Sequence, residues 1–313
     1  MARTSSRPAC PYPWRMSART PRLPPGGPVR LERRGRTWVY DTGPPDGAGA
    51  PPVVLLHGWT SSAALNWYRC FEPLASRHRV VALDHRGHAR GIRSRRPFRL
   101  EDCADDAAAL IRELGLGPSI IAGYSMGGPV AQLLWKRHRD LVEGLVLCAT
   151  AARFPVRKEL GRVIGPFSFA MSLALSGVPY QLRRQGVSML LRSRVPAAGT
   201  APWAFEEWER HDPAAVIQAG LALGRFDSRE WIGGIDVPTA VIVTTMDTAV
   251  SPRRQAALAA AIPGAVAIEV AGAHRACVED HRLFVPALVE ACGIAGAGRD
   301  VPQARPQAGS RTV

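Results

Sequence analysis

The chain has 313 residues, 46% of them hydrophobic, which is enough to bury one large core, so a single α/β domain carrying an insertion is expected rather than two independent domains. Its formal charge of +14 would suggest nucleic acid or an anionic membrane if it were spread evenly, but +8 lies in residues 1–36 and +2 from Arg299 onward, leaving +4 between them. With no recognition motif on the basic ends, a nucleic-acid partner is excluded from the reading.

The first segment, residues 1–28, is arginine-rich and carries Pro11, Pro13, Pro21, Pro24, Pro25 and Pro28 without an apolar run, so it is read as a disordered basic arm. It lacks the continuous apolar stretch of roughly 7–15 residues that a secretory signal needs. A strand, turn and strand follow at Val29–Glu32 and Thr37–Tyr40 around Gly35, then a Pro/Gly-rich loop at 43–52. From there short apolar runs alternate with longer segments. Strands are predicted at Val53–Leu56, Arg79–Leu83, Ser119–Ala122, Leu145–Cys148, Thr239–Thr244 and Val266–Val270. Helices are predicted at Leu65–Ser76, Glu101–Leu114, Met126–His138, Pro252–Ala261 and Glu279–Cys292. Continuous apolar strands separated by helices imply a mostly parallel sheet covered on both faces, joined by right-handed crossovers.

One interval breaks this rhythm. Between Ala149 and Pro238 no convincing central strand occurs, and helical patches rich in tryptophan and phenylalanine suggest an inserted helical cap. The expected organisation is a core of 29–150 and 238–292, a cap at 151–237, and a disordered tail at 293–313. No apolar run reaches the roughly 18 residues needed to span a bilayer; the nearest, Phe167–Val178, is interrupted by Ser168, Ser172, Ser176 and Gly177. The six cysteines are scattered with no C-x-x-C pair, which fits free thiols in a reducing cytoplasm.

The chemistry concentrates at the ends of the predicted strands. Gly123-Tyr124-Ser125-Met126-Gly127 matches G-x-S-x-G between a strand and a helix, the setting of a nucleophile elbow. Gly123 and Gly127 let strand and helix approach while Ser125 occupies a sharp turn, and Pro129 falls where first-turn amides need no partner. A hydroxyl is a weak nucleophile until a base takes its proton, and that base works best when a carboxylate fixes its tautomer. Asp247 follows Thr239–Thr244 and His274 follows Val266–Val270, in the order serine, acid, histidine. His57-Gly58-Trp59 ends the Val53–Leu56 strand, so the backbone N–H groups of Trp59 and Met126 are the expected oxyanion-hole donors. His57 itself is read as packing beneath the loop, because the triad histidine follows the acid.

From about Val29 to Cys292 the chain resembles the α/β-hydrolase superfamily. Asp84-His85-Arg86-Gly87-His88 resembles a structural loop of many members, with Ala89 and Gly91 in place of the commoner glycine and serine. Thr245 and Ala273 also stand where glycine is common. The resemblance implies an α/β-hydrolase fold and a catalytic triad of Ser125, Asp247 and His274 acting on a small hydrophobic carboxylic ester through an acyl-enzyme, with no metal or organic cofactor. Serine at 125 argues against the aspartate-nucleophile branches, epoxide hydrolases and haloalkane dehalogenases. A C–C bond hydrolase acting on a diketone and a non-catalytic receptor are the alternatives on the same scaffold. Substrate choice is assigned to the cap, where Phe154, Phe167, Phe169, Met171, Trp203, Phe205 and Trp208 offer apolar area, most of it for the cap's own core and a minority for the cleft.

Overall fold

The computed structural model describes residues 20–45, 50–154, 168, 170–194 and 201–297, with residues 187 and 190–194 described by backbone alone. These form one sheet of eight strands: β1 (Gly26–Leu31), β2 (Gly35–Asp41), β3 (Val53–Leu56), β4 (Val80–Leu83), β5 (Ser119–Tyr124), β6 (Val142–Cys148), β7 (Thr239–Thr244) and β8 (Val266–Val270). Their order across the sheet is β1-β2-β4-β3-β5-β6-β7-β8. β1 and β2 are antiparallel to each other, β2 is antiparallel to β4, and every pairing from β4 to β8 is parallel.

The central strands β3, β4, β5 and β7 are buried along their whole length, because helices cover both faces. On one face lie α3 (Leu100–Glu113), α4 (Gly127–Arg137) and α8 (Pro252–Ala261), contributing Leu110, Ile111, Val130, Leu134 and Leu258 to a core with Val54, Leu56 and Ile121. On the other lie α1 (Ala63–Trp67), α2 (Phe71–Ala75) and α9 (His281–Gly296), which pack Trp67, Phe71, Phe284 and Leu288 on Val53, Leu55 and Ile120. Each such side chain stabilises the fold by about 1.5–3 kcal/mol relative to exposure. The insertion after β6 contains α5 (Tyr180–Arg194), α6 (Pro202–Glu209) and α7 (Pro213–Arg225). In α7, Pro213 occupies the first turn and the Asp212 carboxylate caps it by accepting the Ala214 N–H at 3.1 Å.

Several boundaries differ from the sequence reading. Residues 20–28 are not a detached arm: Leu23 packs on the core, Pro25 accepts the Asp41 N–H at 3.0 Å, and β1 begins at Gly26. Pro28 is tolerated there because β1 is an edge strand, where a missing N–H breaks no ladder. Residues 1–19 lie outside the described residues. The helix expected at Leu65–Ser76 is two short ones, since Pro73 cannot donate to Arg69 and its ring would clash with that carbonyl in a continuous helix. β8 is not covered on both faces but forms an edge, with Val266 42% exposed. Finally, α9 starts at His281 and runs to Gly296 instead of ending at Cys292, because Ala295 is buried against the sheet. The start of the predicted tail is therefore helical, and residues 298–313 lie outside the described ones. Among the described residues no helix is long and apolar enough to cross a membrane.

Candidate active site

Ser125, Asp247, His274 and the His57–Trp59 loop all emerge at the carboxyl ends of parallel strands, after β5, β7, β8 and β3 respectively. Ser125 sits at φ +51°, in the left-handed region that costs a residue with a Cβ about 1–2 kcal/mol. The surroundings hold it there: its N–H donates to Cys148 O at 2.9 Å, and its carbonyl accepts Thr150 Oγ1 at 2.8 Å and Gly128 N at 2.9 Å. The flanking glycines are required by approach. A Cβ at Gly123 would lie 2.2 Å from Gly127 O, and one at Gly127 would lie 2.1 Å from Leu56 O.

His274 Nε2 lies 3.0 Å from Ser125 Oγ, and its Nδ1 lies 2.7 Å from Asp247 Oδ2. The Asp247 side chain is fully buried, whereas that of His274 is 28% exposed, so the imidazole faces the cleft with the carboxylate behind it. Asp247 accepts further bonds from Ala249 N (2.8 Å), Val250 N (2.9 Å), Thr244 Oγ1 (3.0 Å) and Gln255 Nε2 (3.2 Å). Burial alone would raise its pKa, but the bond and charge of His274 and the bonds from Val250 and Thr244 outweigh it and hold the carboxyl below the ordinary carboxylate range. Tyr124 Oη donates to His274 O at 2.8 Å and fixes the loop from below.

Beside Ser125, Gly58 comes so close that a Cβ there would lie 3.3 Å from Ser125 Cβ. Asn66 Oδ1 accepts the Gly58 N–H at 2.9 Å, while Asn66 Nδ2 donates to Cys277 Sγ at 3.3 Å, tying this loop to the His274 loop. The backbone N–H groups of Trp59 and Met126 have no acceptor among the described residues, which leaves both available to a ligand oxygen. His57 is fully buried, and burial with neighbouring His85 and His88 lowers its pKa well below the ordinary value. Its Nδ1 donates to Gly58 O at 2.8 Å and its Nε2 accepts the His85 N–H at 2.9 Å, so both ring nitrogens are committed to holding the loop. Cys277 also lines the cleft, yet burial pushes its thiol up to about 12, far from the thiolate a nucleophile requires. The described cysteines, Cys70, Cys103, Cys148, Cys277 and Cys292, are free and buried.

The Asp84–Gly91 loop is the footing of the cap. Asp84 accepts Ala63 N and Arg90 N at 2.9 and 3.0 Å, and burial raises its pKa to about 7. At Gly87, φ is +73° and a Cβ would meet Ala215 Cβ of α7 at 2.2 Å, while Arg90 Nη2 pairs with Glu207 of α6 at 2.6 Å. The two departures from the commoner pattern have opposite consequences: Ala89 carries a Cβ at φ +36°, and Gly91 leaves no room for serine, since a Cβ would lie 2.0 Å from His85 O.

Of the aromatic residues assigned to the cap, Phe154 faces a trough beside the cleft. Trp203 is buried edge-on against Tyr68 at 5.3 Å, Trp208 packs on His211, and Met171 is exposed. Phe167 and Phe169 lie outside the described residues. Sequence reasoning missed the supports Thr150, Thr244, Gln255, Asn66 and Gly128. The signal for Gln255 was faint: a single amide on the apolar side of an alanine-rich helix, fully buried beside Leu258 and Ala259.

A parallel sheet with reactive side chains at its carboxyl edge, an elbow after β5 and a cap inserted after β6 defines an α/β hydrolase. The α/β-hydrolase-fold family model matches residues 51–280, and the chain belongs to that family. It is similar to the pimeloyl-[acyl-carrier protein] methyl ester esterase of Chromobacterium violaceum, 29% identical over 243 residues that cover 77% of this chain and 93% of the relative. Among solved structures it resembles a thermophilic esterase from Thermogutta terrifontis (TM-score 0.63, 25% identity, 85% of this chain and 97% of the other). In fold it also matches the enol-lactonase from Burkholderia xenovorans LB400 (TM-score 0.67, 24% identity, 84% and 98% covered).

Proposed function

We propose that the chain is a serine hydrolase that cleaves a carboxylic ester of a hydrophobic small molecule through an acyl-enzyme. The observation that carries this reading is the continuous relay from Ser125 Oγ through His274 to the buried Asp247 carboxylate, at 3.0 and 2.7 Å. With Asp247 ionised and accepting from Nδ1–H, the Nε2 lone pair points at the serine hydroxyl, the tautomer a general base requires. Ser125 Oγ attacks the ester carbonyl as His274 takes its proton. The developing oxyanion is met by the Trp59 and Met126 N–H groups, the latter at the amino end of α4, where the helix dipole favours negative charge. His274 then returns the proton to the leaving alcohol, and water attacks the acyl-enzyme by the same relay to release the acid.

Relatives named as esterases are in line with ester cleavage by this chain. The cleft at Ser125 has a volume of about 150 Å³ and is lined mainly by apolar atoms, with Leu65, Tyr124 and Val278 among its walls. Turnover of p-nitrophenyl esters by purified protein, with fluorophosphonate labelling of wild type and Ser125→Ala, tests the proposal. Labelling and turnover lost together in the variant support it. Full labelling of the alanine variant overturns the assignment of the nucleophile, and cleavage of a diketone without ester turnover overturns the assignment of the bond.

A further inference from the structure

The cleft at Ser125, at about 150 Å³, is smaller than the roughly 300–1,000 Å³ of a typical ligand site, so a substrate of any length has to extend beyond it. Trp59 forms one wall of that cleft, and on the other side of the same residue lies a trough of about 400 Å³. Its floor is one face of α7, Ile217, Gly220, Leu221 and Gly224, at the i, i+3, i+4, i+7 spacing of a single helical stripe. Gly220 is needed there because a Cβ would lie 2.7 Å from the Trp59 ring, whose Nε1 donates to Val216 O at 2.8 Å. The opposite wall is Ala249 and Val250, the two residues whose N–H groups hold Asp247. The trough is thus built from the same loops as the reacting groups and shares a wall with them.

Its charge is one-sided. Two guanidinium groups, Arg153 and Arg254, line this apolar trough, and no carboxylate does among the described residues. Arg254 has no acidic partner among the described residues, and Arg153 reaches Asp227 only at 3.7 Å, a carboxylate already held by Arg229 at 2.7 Å. An apolar channel with a cation that lacks a counter-ion among the described residues matches a hydrocarbon chain ending in an anion. Orientation follows from the relay: His274 must hand its proton to the leaving alcohol, so the alcohol lies in the small cleft that His274 lines with Cys277 and Val278. The acyl chain then passes Trp59 into the trough.

We propose that the trough between α7 and the Asp247 loop is an acyl-tail subsite in which Arg254, assisted by Arg153, binds a terminal carboxylate, so that the substrates are monoesters of dicarboxylic acids with a small alcohol. This rests on the ester-hydrolase reading above and deepens it. The test compares monomethyl esters of glutaric to sebacic acids with the uncharged methyl esters of matched chain length, in wild type, Arg254→Gln and Arg254→Glu. Arg254 is exposed on α8, so the substitutions leave the core untouched. The expected result is a wild-type kcat/KM ratio of at least tenfold in favour of the carboxylate esters at the best length. Arg254→Gln should cut that ratio about tenfold, equivalent to 1.4 kcal/mol, and Arg254→Glu should bring it below one. Calorimetric binding of the same pairs to Ser125→Ala gives a readout independent of turnover. A ratio near one in both assays, or a ratio unmoved by Arg254→Glu, overturns the subsite while leaving the hydrolase intact. Carboxylate-selective binding without any ester turnover would sink the hydrolase reading and leave the subsite standing.

Discussion

Replacing Asp247 by asparagine separates the relay from mere proximity. The carboxylate accepts two backbone N–H groups on Oδ1 and three side-chain donors on Oδ2, so it acts only as an acceptor. An asparagine must turn its NH₂ to one side. Facing Ala249 N and Val250 N, it would set donor against donor twice in a buried site, so its oxygen stays there and the NH₂ meets His274. The imidazole then has to accept at Nδ1 and carry its proton on Nε2, the atom that must be free to take the proton of Ser125. Misplacing the tautomer in this way costs on the order of 10⁴ in kcat, about 5.4 kcal/mol of barrier. Stability should fall less, by about 1–3 kcal/mol for the lost charge-assisted bonds. Pre-steady-state release of p-nitrophenol measures acylation directly, and thermal unfolding checks the fold. An asparagine variant acylating within tenfold of wild type would refute the argument and point to another carboxylate.

Gln255→Leu, which removes the amide bridging Thr244, Asp247 and Val250 O, should lower kcat about tenfold with little change in KM; a change confined to KM would show that the glutamine does not position the acid. Gly123→Ala should destabilise by about 1–3 kcal/mol, because its Cβ would strike Gly127 O and backbone cannot move aside cheaply; a urea midpoint equal to wild type would contradict this. His85, His88 and His211 are fully buried, and burial lowers their pKa values to about 3, 4 and 3, so they remain neutral in the fold and charge on unfolding. Each therefore withdraws about 1.4 kcal/mol of stability per pH unit as pH falls below about 6.5. Asp84, raised to about 7, acts in the opposite sense, its contribution declining as pH rises from about 4 to 7, but three histidines outweigh one carboxyl. Unfolding free energy should consequently drop between pH 6.5 and 5, and a flat profile would show that these rings are already hydrated. Removing residues 1–19 and 298–313 should leave kcat/KM within tenfold, whereas extending the cut through Leu31 strips β1 from β2 and should lower the melting temperature.

What could be read from the sequence was whatever the backbone encodes locally. The elbow is legible because a serine forced to positive φ needs a small residue on each side, and Gly123 and Gly127 stand within two positions of it. Asp247 and His274 are legible because they directly follow apolar runs whose ends define one edge of the sheet. Their supports were not. Asn66, Thr150 and Gln255 act on residues as far as 211 positions away, and a polar side chain carries no local mark of the partner it will meet. The strand order failed to show for the same reason: nothing in Val80–Leu83 announces that it pairs with both β2 and β3 in opposite senses.

The cap gives the sharper lesson, because composition separates the residues that fill it from those that border the trough only in part: Phe154 lines the trough, as a minority of the aromatic residues was expected to. Trp203 and Trp208 pack against Tyr68 and His211, in line with the expectation that most of the cap's aromatic area serves packing. A ring that buries 150–250 Å² fills space, and a cleft requires space left unfilled. The trough owes its volume to small residues, Gly220 on α7 and Ala249 on the acid loop, with Trp59 held open between them by its bond to Val216 O. Gly220 weakens its helix by about 0.5–1 kcal/mol relative to alanine. That local cost makes sense only in terms of the ring facing it from a strand end 161 positions earlier in the chain. If the trough is the proposed acyl-tail subsite, the cap residue that makes room for a substrate is the one that contributes least to the cap's own core.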